Sequence, residues 1–550
     1  MDRNCGIIAA IVGVLLIIAV SCACLIAVLG VSVFRISDNQ ISFLPTPGIS
    51  ELTPSPVVVR PTRQATAQPA VETPSVTEEN TATAVPGPDG QAGQPFTGVP
   101  TDTLQTLEQA LVPENDPADL ANRLEGVEGI PQTVEPPAAP RQVGDTDQFW
   151  VTDTDTNISS QVEARLEYVT EHLYFWVEDG VSFDDGELKQ LADTFESKIY
   201  PTNREFFGSE WSPGVDGDPH LYILYARRLG GNVAGYFSSA DELNPLAHKY
   251  SNAHEMFMLS AQHVNLGEEF AYSVLAHEFQ HMIHWYRDRN EESWMNEGFS
   301  ELAAFLNGYD VGGADWLYVQ DPDIQLNTWP NDPSATTPHY GSSFLFLTYF
   351  LDRFGEEATK AVVADPENGM KSIDDALLRI DAKDPETGQP ITADDVFADW
   401  VVASYLQDSS VGDGRFTYHN YPSAPAPQET EEIRSCPTGV ETRDVSQYGV
   451  DYLRIDCRGD FTLNFEGSVQ VSVVPADPHS GEYAFWSNMG DESDMTLTQT
   501  FDFTDQSGPL TLNFWTWYDI EEDYDYLYLV ASTDGGESWQ IITTPSGTGD

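Results

Sequence analysis

Apolar residues fall along this chain in four patterns, each predicting a different kind of element. From Gly6 to Phe34 they run without a charge, GIIAAIVGVLLIIAVSCACLIAVLGVSVF. At about 1.5 Å per residue a helix of that length exceeds a ~30 Å hydrocarbon core, which predicts a transmembrane anchor behind a short tail, residues 1–5. A cleaved signal peptide ending at Ser21-Cys22-Ala23, or a lipoprotein cysteine at Cys22, is the rival reading, and the LIAVLGVSVF that would remain argues against both. Residues 35–143 lose the apolar pattern to Pro, Thr, Ala and Gly and read as a disordered stalk. Two short helical patterns, 103–112 and 117–127, close it as an arm or a pro-segment.

From 144 to 422 strand and helix periods alternate. QFWVTD, LYILYA, VAGYFSS and EMFMLSA read as strands, ISSQVEARLEYVTEHLYFWVED as a helix mixed with a strand, and DGELKQLADTFESKIYPTNREFFG as a capped amphipathic helix. A helix begins near Glu268, and helical patterns dominate from Ser293 to Gln407. Mixed sheet followed by helices predicts an α+β domain. From 430 to 550 short alternating runs such as FTLNFEG, MTLTQTFDF and LTLNFWTWYDI predict a β-sandwich, and the last run stops so near Asp550 that part of the sandwich is expected beyond it. The fold expected is therefore multidomain.

Charge narrows the functions this architecture can serve. Twenty-five Lys and Arg stand against 88 Asp and Glu, a formal charge of −63, which excludes a nucleic-acid partner. With 41% hydrophobic residues the acidity belongs to folded surfaces, as solubility outside the cell, a salty habitat or calcium sites would require. Cys436 and Cys457 are isolated from the cysteines of the anchor and flank a strand-like stretch, which suggests one disulfide and an oxidising compartment; two buried free thiols are the alternative. Arg3 and Arg35 nearly balance across the anchor, so the stalk and the cysteine pair decide its orientation: a single-pass cell-membrane protein with its domains extracellular.

Candidate chemistry is concentrated in AYSVLAHEFQHMIHWYRDRNEESWMNEGFSELAAFLNGY, residues 271–309. His277 and His281, four apart on a helical pattern, leave one face a turn apart and can share a tetrahedral metal. Glu278 beside them can take a proton from an attacking water. His-Glu-x-x-His alone also arises by chance. Fifteen residues after His281, Glu297 begins a second helical pattern within Trp-Met-Asn-Glu-Gly and can complete a two-histidine, one-glutamate zinc site. His284 lies a further turn along and reads as packing. Arg287 and His284 exclude the three-histidine metzincin pattern, and Glu291 and Glu292 read as a solvated loop.

This segment resembles the gluzincin metallopeptidases, whose third zinc ligand is a Glu in an Asn-Glu-Gly-type motif, and it is most similar to their hyicolysin-like branch. The resemblance spans roughly Gly144 to Gln407 in element order and is specific around 274–303 and 339–354. It implies catalytic Zn2+ on His277, His281 and Glu297, with Glu278 as general base. Glu301, one turn beyond Glu297, can accept the second ring N–H of a ligating histidine, as an acid often does in gluzincins; a surface glutamate is the other reading. In TTPHYGSSFLFLTYFLDRFG the resemblance favours Tyr340, then His339, as the oxyanion donor, against an aromatic that only packs the helix start. GGNVAGYFSSADEL fits an exposed edge strand to which an extended peptide can add.

The C-terminal run TLTQTFDFTDQSGPLTLNFWTWYDIEEDYDYLYLVASTDGGESWQIITT resembles the β-sandwich module attached to bacterial immune inhibitor A peptidases. Asp519, Glu521, Glu522, Asp523 and Asp525 are dense enough there for Ca2+, or form an acidic solvated turn. The leading expectation is a membrane-anchored extracellular zinc endopeptidase acting on protein or peptide substrates, its sandwich binding a cell-surface glycan or protein. A surface adhesin or carbohydrate-binding protein with an inactive zincin-like domain is the alternative, and the presence of Glu278 counts against it. A zinc aminopeptidase needs a Gly-x-Met-x-Asn-type segment before the metal helix, which is not found.

Overall fold

A computed structural model describes residues 106–107, 110–468, 472–521 and 524–543. The anchor expected over 6–34 and most of the stalk lie outside them. No helix among the described residues is long and apolar enough to cross a membrane. The described residues form two compact units, one of residues 127–458 and one of residues 106–126 with 459–543.

The first unit is an α+β fold around one six-stranded sheet. In chain order its strands are β1 (Thr146–Asp153), β2 (Ile158–Val169), β3 (Leu173–Glu178), β4 (Leu221–Ala226), β5 (Gly235–Phe237) and β6 (Met256–Ser260). They lie side by side as β1-β2-β3-β4-β6-β5. Pairing is antiparallel at both margins and parallel for β3-β4 and β4-β6. The central strands are buried on both faces, which is why LYFWVE, LYILYA and MFMLS are continuous apolar runs rather than alternating ones. Phe175, Ile223 and Phe257 face the helices, while Trp176, Tyr222 and Met258 face a smaller core closed by Phe149, Val162 and Leu166.

Part of the sequence expectation is corrected here. The stretch expected to mix helix and strand is two strands, β2 and β3. Its Glu, Ala, Arg and Leu are good helix formers, but Val162, Ala164 and Leu166 are buried and Glu163 and Arg165 exposed, and that two-residue period overrides propensity. The capped helix is present as α1 (Asp185–Thr194), its N–H groups at Gly186 and Glu187 bonded by Asp184; it runs through a π-turn at Phe195–Ile199 into α2 (Tyr200–Phe207).

Helices carry the chain from there: α3 (Glu269–Arg287), α4 (Ser293–Leu306), α5 (Ala314–Tyr318), α6 (Thr337–Val363, broken at Gly355), α7 (Met370–Arg379) and α8 (Ala393–Leu406). α3 crosses beneath β5 and packs on α4, which packs on α6. The unit continues past 422 to Arg458. Parallel β7 (Glu431–Ile433) and β8 (Leu453–Ile455) belong to it, and Tyr452 ties them down by donating to the Val401 carbonyl at 2.8 Å. Cys436 and Cys457 form a disulfide across this pair, their Cα atoms 6.0 Å apart. The unit also takes in residues 127–143 of the expected stalk, where Val134 N–H donates to the Val215 carbonyl at 2.8 Å.

In the second unit the arm is helical at Pro117–Leu120, capped by Asp116, and is fastened to residues 492–494. Asn115 N–H donates to the Glu492 carbonyl at 2.8 Å, and Arg123 pairs with Asp494 at 2.5 Å. The sandwich expected over 430–550 is not formed among the described residues. After Arg458 the only ladder there is β9 (Val530–Ala531) with β10 (Gln540–Ile541), whose turn is pinned by Asp534 accepting from Ser532 Oγ at 2.6 Å and Ser538 N–H at 3.0 Å. Phe465, Phe485, Trp515 and Leu527 remain exposed. Two apolar faces must cover each other before a sandwich exists.

Candidate metal centre

α3 is a long helix because nineteen residues carry no Pro or Gly and bury a broad apolar face through Val274, Leu275, Phe279 and Met282. His277 and His281 leave it one turn apart toward α4, whose first turns hold Glu297. Gly298 makes that approach close: a Cβ there would lie 2.8 Å from both Leu347 Cδ1 and Ser343 Cβ of α6. The glycine of the Asn-Glu-Gly motif is therefore a packing requirement that sets Glu297 against the histidines.

Three ligand atoms converge. His277 Nε2 and His281 Nε2 are 3.0 Å apart, and Glu297 Oε2 is 3.2 Å from the first and 3.4 Å from the second. Ligands held about 2.0–2.1 Å from a tetrahedral zinc stand about 3.3 Å from one another, so this spacing fits the ion. The other ring nitrogens fit it too. His277 Nδ1 lies 3.3 Å from Glu301 Oε1, while His281 Nδ1 lies 2.7 Å from Asn296 Oδ1 and 3.1 Å from Ser300 Oγ. Ser300 gives its own proton to Gln280 Oε1 at 2.5 Å, leaving its oxygen as an acceptor. With acceptors at both Nδ1 atoms, the proton of each neutral ring belongs there, and two Nε2 lone pairs and a carboxylate face one point. Such a convergence of electron pairs calls for a cation.

Electrostatics in the protein alone lean the same way. Burial works against a charged His277, but Glu297, Glu301 and Glu278 hold it well above the usual imidazole range. Burial would raise Glu297, but His281 and His277 pull it far below the usual carboxylate range. Glu278 is raised, first by burial and then by Glu297 against the pull of the histidines, as suits a base that must hold and release a proton. Its Oε2 accepts the Phe237 N–H of β5 at 2.9 Å. At Gly235 a Cβ would fall 2.6 Å from the Met258 carbonyl and 2.9 Å from Val274, so this glycine lets the edge strand lie directly on the metal helix.

The structure separates the two candidate donors before α6. Tyr340 has its ring 6.2 Å from that of His277; burial and then Glu297, Glu301 and Glu278 hold its phenol well above the ordinary value, so it stays a proton donor. His339 packs edge-on to Trp329 at 6.1 Å, and burial lowers it. Trp329 also stands edge-on to Tyr340 at 4.8 Å. His284 is fully buried, edge-on to Phe299 at 5.6 Å, and burial followed by His281 drives it down to about 3, so it is a neutral packing residue.

Glu291 and Glu292 correct the solvated-loop reading. Glu291 is buried and accepts the N–H groups of Glu292 at 2.7 Å and Gly369 at 2.8 Å; Glu292 accepts Trp294 Nε1 at 2.6 Å. The Gly369 N–H of the loop before α7 holds the Glu291 carboxylate inside, and Glu292 is half-buried against Trp294, which a charged run in sequence does not reveal. Glu301 is likewise buried, not a surface glutamate. Sequence reasoning missed Asn296, Ser300 and Gln280. Asn296 was within reach, since it precedes Glu297 in the motif. Of the acidic turn in the C-terminal region, Glu522 and Asp523 lie outside the described residues, and Glu521 N–H donates to Asp525 Oδ2 at 3.0 Å. Among the described residues Asp519, Glu521 and Asp525 do not form a three-ligand group. The one such group besides the triad is Glu171, His172 and Glu196, where Glu196 is already taken up by Thr170, the His172 N–H and His172 Nδ1 at 2.6 Å.

Comparison with known proteins points to the same chemistry. Residues 465–548 match the family described as immune inhibitor A-like, MAM domain. The chain is 24% identical over 263 residues to the neutral metalloprotease ShpI of Staphylococcus hyicus, an alignment covering 43% of this chain and 58% of that protein. The alignment spans little more than half of the relative's length.

Proposed function

We propose that this chain is a zinc-dependent endopeptidase of the two-histidine, one-glutamate type. The observation that carries the reading is the convergence of His277 Nε2, His281 Nε2 and Glu297 Oε2 within 3.4 Å, with Glu278 on the same helix. Bound there, zinc supplies Lewis acidity to a peptide carbonyl and to the attacking water. Glu278, held by Phe237 N–H, takes the proton from that water and passes it to the leaving amine. Tyr340 donates to the oxyanion that develops on the carbonyl. Glu301, Asn296 and Ser300 keep both imidazoles in the ligating tautomer. β5, an antiparallel edge three residues long, offers main-chain groups to an extended peptide, which favours protein substrates without strict sequence demands.

The cellular reading stays part of this proposal. The apolar run 6–34 anchors the protein in a cell membrane with the catalytic unit outside, and the Cys436–Cys457 disulfide supports an oxidising compartment. The C-terminal region serves as an accessory module for a cell-surface glycan or protein. Hydrolysis of casein by the purified chain tests the catalytic reading: a zinc chelator should abolish it and added zinc restore it, whereas hydrolysis that persists in chelator would refute the mechanism.

A further inference from the structure

Two residues past the end of α3, Arg289 is held differently from the paired arginines of the first unit. Arg204, Arg353 and Arg415 each lie against a carboxylate, of Glu210, Asp399 and Asp384 in turn. Arg289 forms no ion pair or hydrogen bond among the described residues, although the chain carries 88 acids. A ring holds it instead: its guanidinium carbon lies 4.6 Å from the centre of the Trp285 ring. Stacking on an aromatic face uses none of the in-plane N–H donors of a guanidinium. The residue is half-buried, so solvent reaches it. Buried Glu242 feels the charge of Arg289, yet neither Glu242 oxygen has a hydrogen-bond partner.

This place is the end of the edge strand. Trp285 follows His281 by one turn of α3, about 6 Å along the axis at ~1.5 Å per residue. Its ring lies 6.3 Å from that of Phe237, the last residue of β5, whose N–H is bonded to Glu278. An extended peptide advances ~3.3 Å per residue, so one laid along β5 with its cleaved bond at the triad reaches the guanidinium about two or three residues away.

We propose that Arg289, seated on Trp285, is a specificity-determining residue that receives a substrate carboxylate about two or three residues from the cleaved bond. The proposal rests on the peptidase reading and adds a substrate class to it, peptides with a carboxylate at one fixed position. An uncommitted fork of donors matches the two oxygens of a carboxylate. With a formal charge of −63 the chain repels acidic peptides at long range, so Arg289 fixes the register of a bound peptide rather than drawing it in.

The test is cleavage of quenched fluorescent peptides by the full zinc-loaded chain. Glu or Gln is placed in turn at each position on both sides of the bond, and each peptide ends in a free carboxylate or an amide. At one position Glu should exceed Gln by about 10- to 100-fold in kcat/KM, the span of a hydrogen bond to a charged group. A gain of that size from the free terminus instead would assign the same contact to a terminal carboxylate. Arg289→Gln should bring the paired peptides within a few-fold of each other with zinc content at the parent level. Arg289→Lys keeps the charge without the fork and should keep part of the preference; it carries the comparison if Arg289→Gln does not fold. Equal rates in the parent for Glu and Gln, and for both termini, overturn the proposal and leave the peptidase reading intact. A preference that survives in Arg289→Gln also overturns it, and a lowered Tm in that variant would then make Arg289 a counter-charge for Glu242 alone. Should the chain hydrolyse no peptide, the peptidase reading fails by itself, and titration calorimetry of the same peptides decides the subsite. Tighter binding of one Glu or free-terminus peptide, lost in Arg289→Gln, supports it, and equal binding overturns it.

Discussion

Each side chain at the metal centre is asked for one task, so each substitution should fail in its own way. Glu278→Gln keeps the size of the side chain and leaves all three ligands in place. Zinc content measured by atomic absorption should stay at the parent level while casein turnover falls at least ~10²–10⁴-fold, the range of general acid–base catalysis. Near-parental turnover would take the base away from Glu278. Glu297→Ala removes a ligand and leaves two histidines, so zinc and activity should be lost together, and one tightly held zinc in this variant would move the third ligand elsewhere. Tyr340→Phe deletes one donor, which should lower kcat by ~10²–10³ with zinc content unchanged, and His339→Ala should leave kcat within a few-fold. The reverse ranking would exchange the two roles, which sequence position left open and the ring geometry separates.

Among the elements, α3 was the most legible in sequence, because its histidine spacing and apolar face share one helical period. Less legible were features that depend on two elements meeting. Glu291 looks solvated in sequence, yet the Gly369 N–H of the loop before α7 draws it inside. The β2 strand was obscured by helix-forming residues whose alternation only the sheet rewards. His284 supplies a prediction at this scale. The unfolded chain binds its proton near pH ~6.5, the folded chain only near about 3, so stability present above pH 6.5 is lost as pH falls between those values. His284→Leu should move the acid-unfolding midpoint, followed by circular dichroism, to lower pH without changing zinc content; an unmoved midpoint would mean that another group governs acid lability. At the β5 edge, Gly235→Val should displace β5 from α3 and cost both stability and turnover, since even a Cβ there meets the Met258 carbonyl at 2.6 Å. Unchanged Tm and kcat would mean that β5 does not press on the metal helix.

Across the whole molecule, the order of regions was legible and their edges were not. The first unit extends to Arg458 because β7, β8 and the disulfide pack with it, although the sequence changes character after Pro422. The C-terminal alternation signalled strands, and the family match covers it, but a sandwich needs two covered faces and the described residues leave the apolar rows exposed. The zinc centre remains the central claim, because the peptidase reading depends on it. Anomalous X-ray scattering on either side of the zinc edge, from crystals of the purified chain, tests it most directly. The expected result is one peak about 2.0–2.2 Å from His277 Nε2, His281 Nε2 and a Glu297 carboxylate oxygen. A peak at Glu171, His172 and Glu196 with none at the triad, or no zinc peak in a proteolytically active preparation, would contradict it.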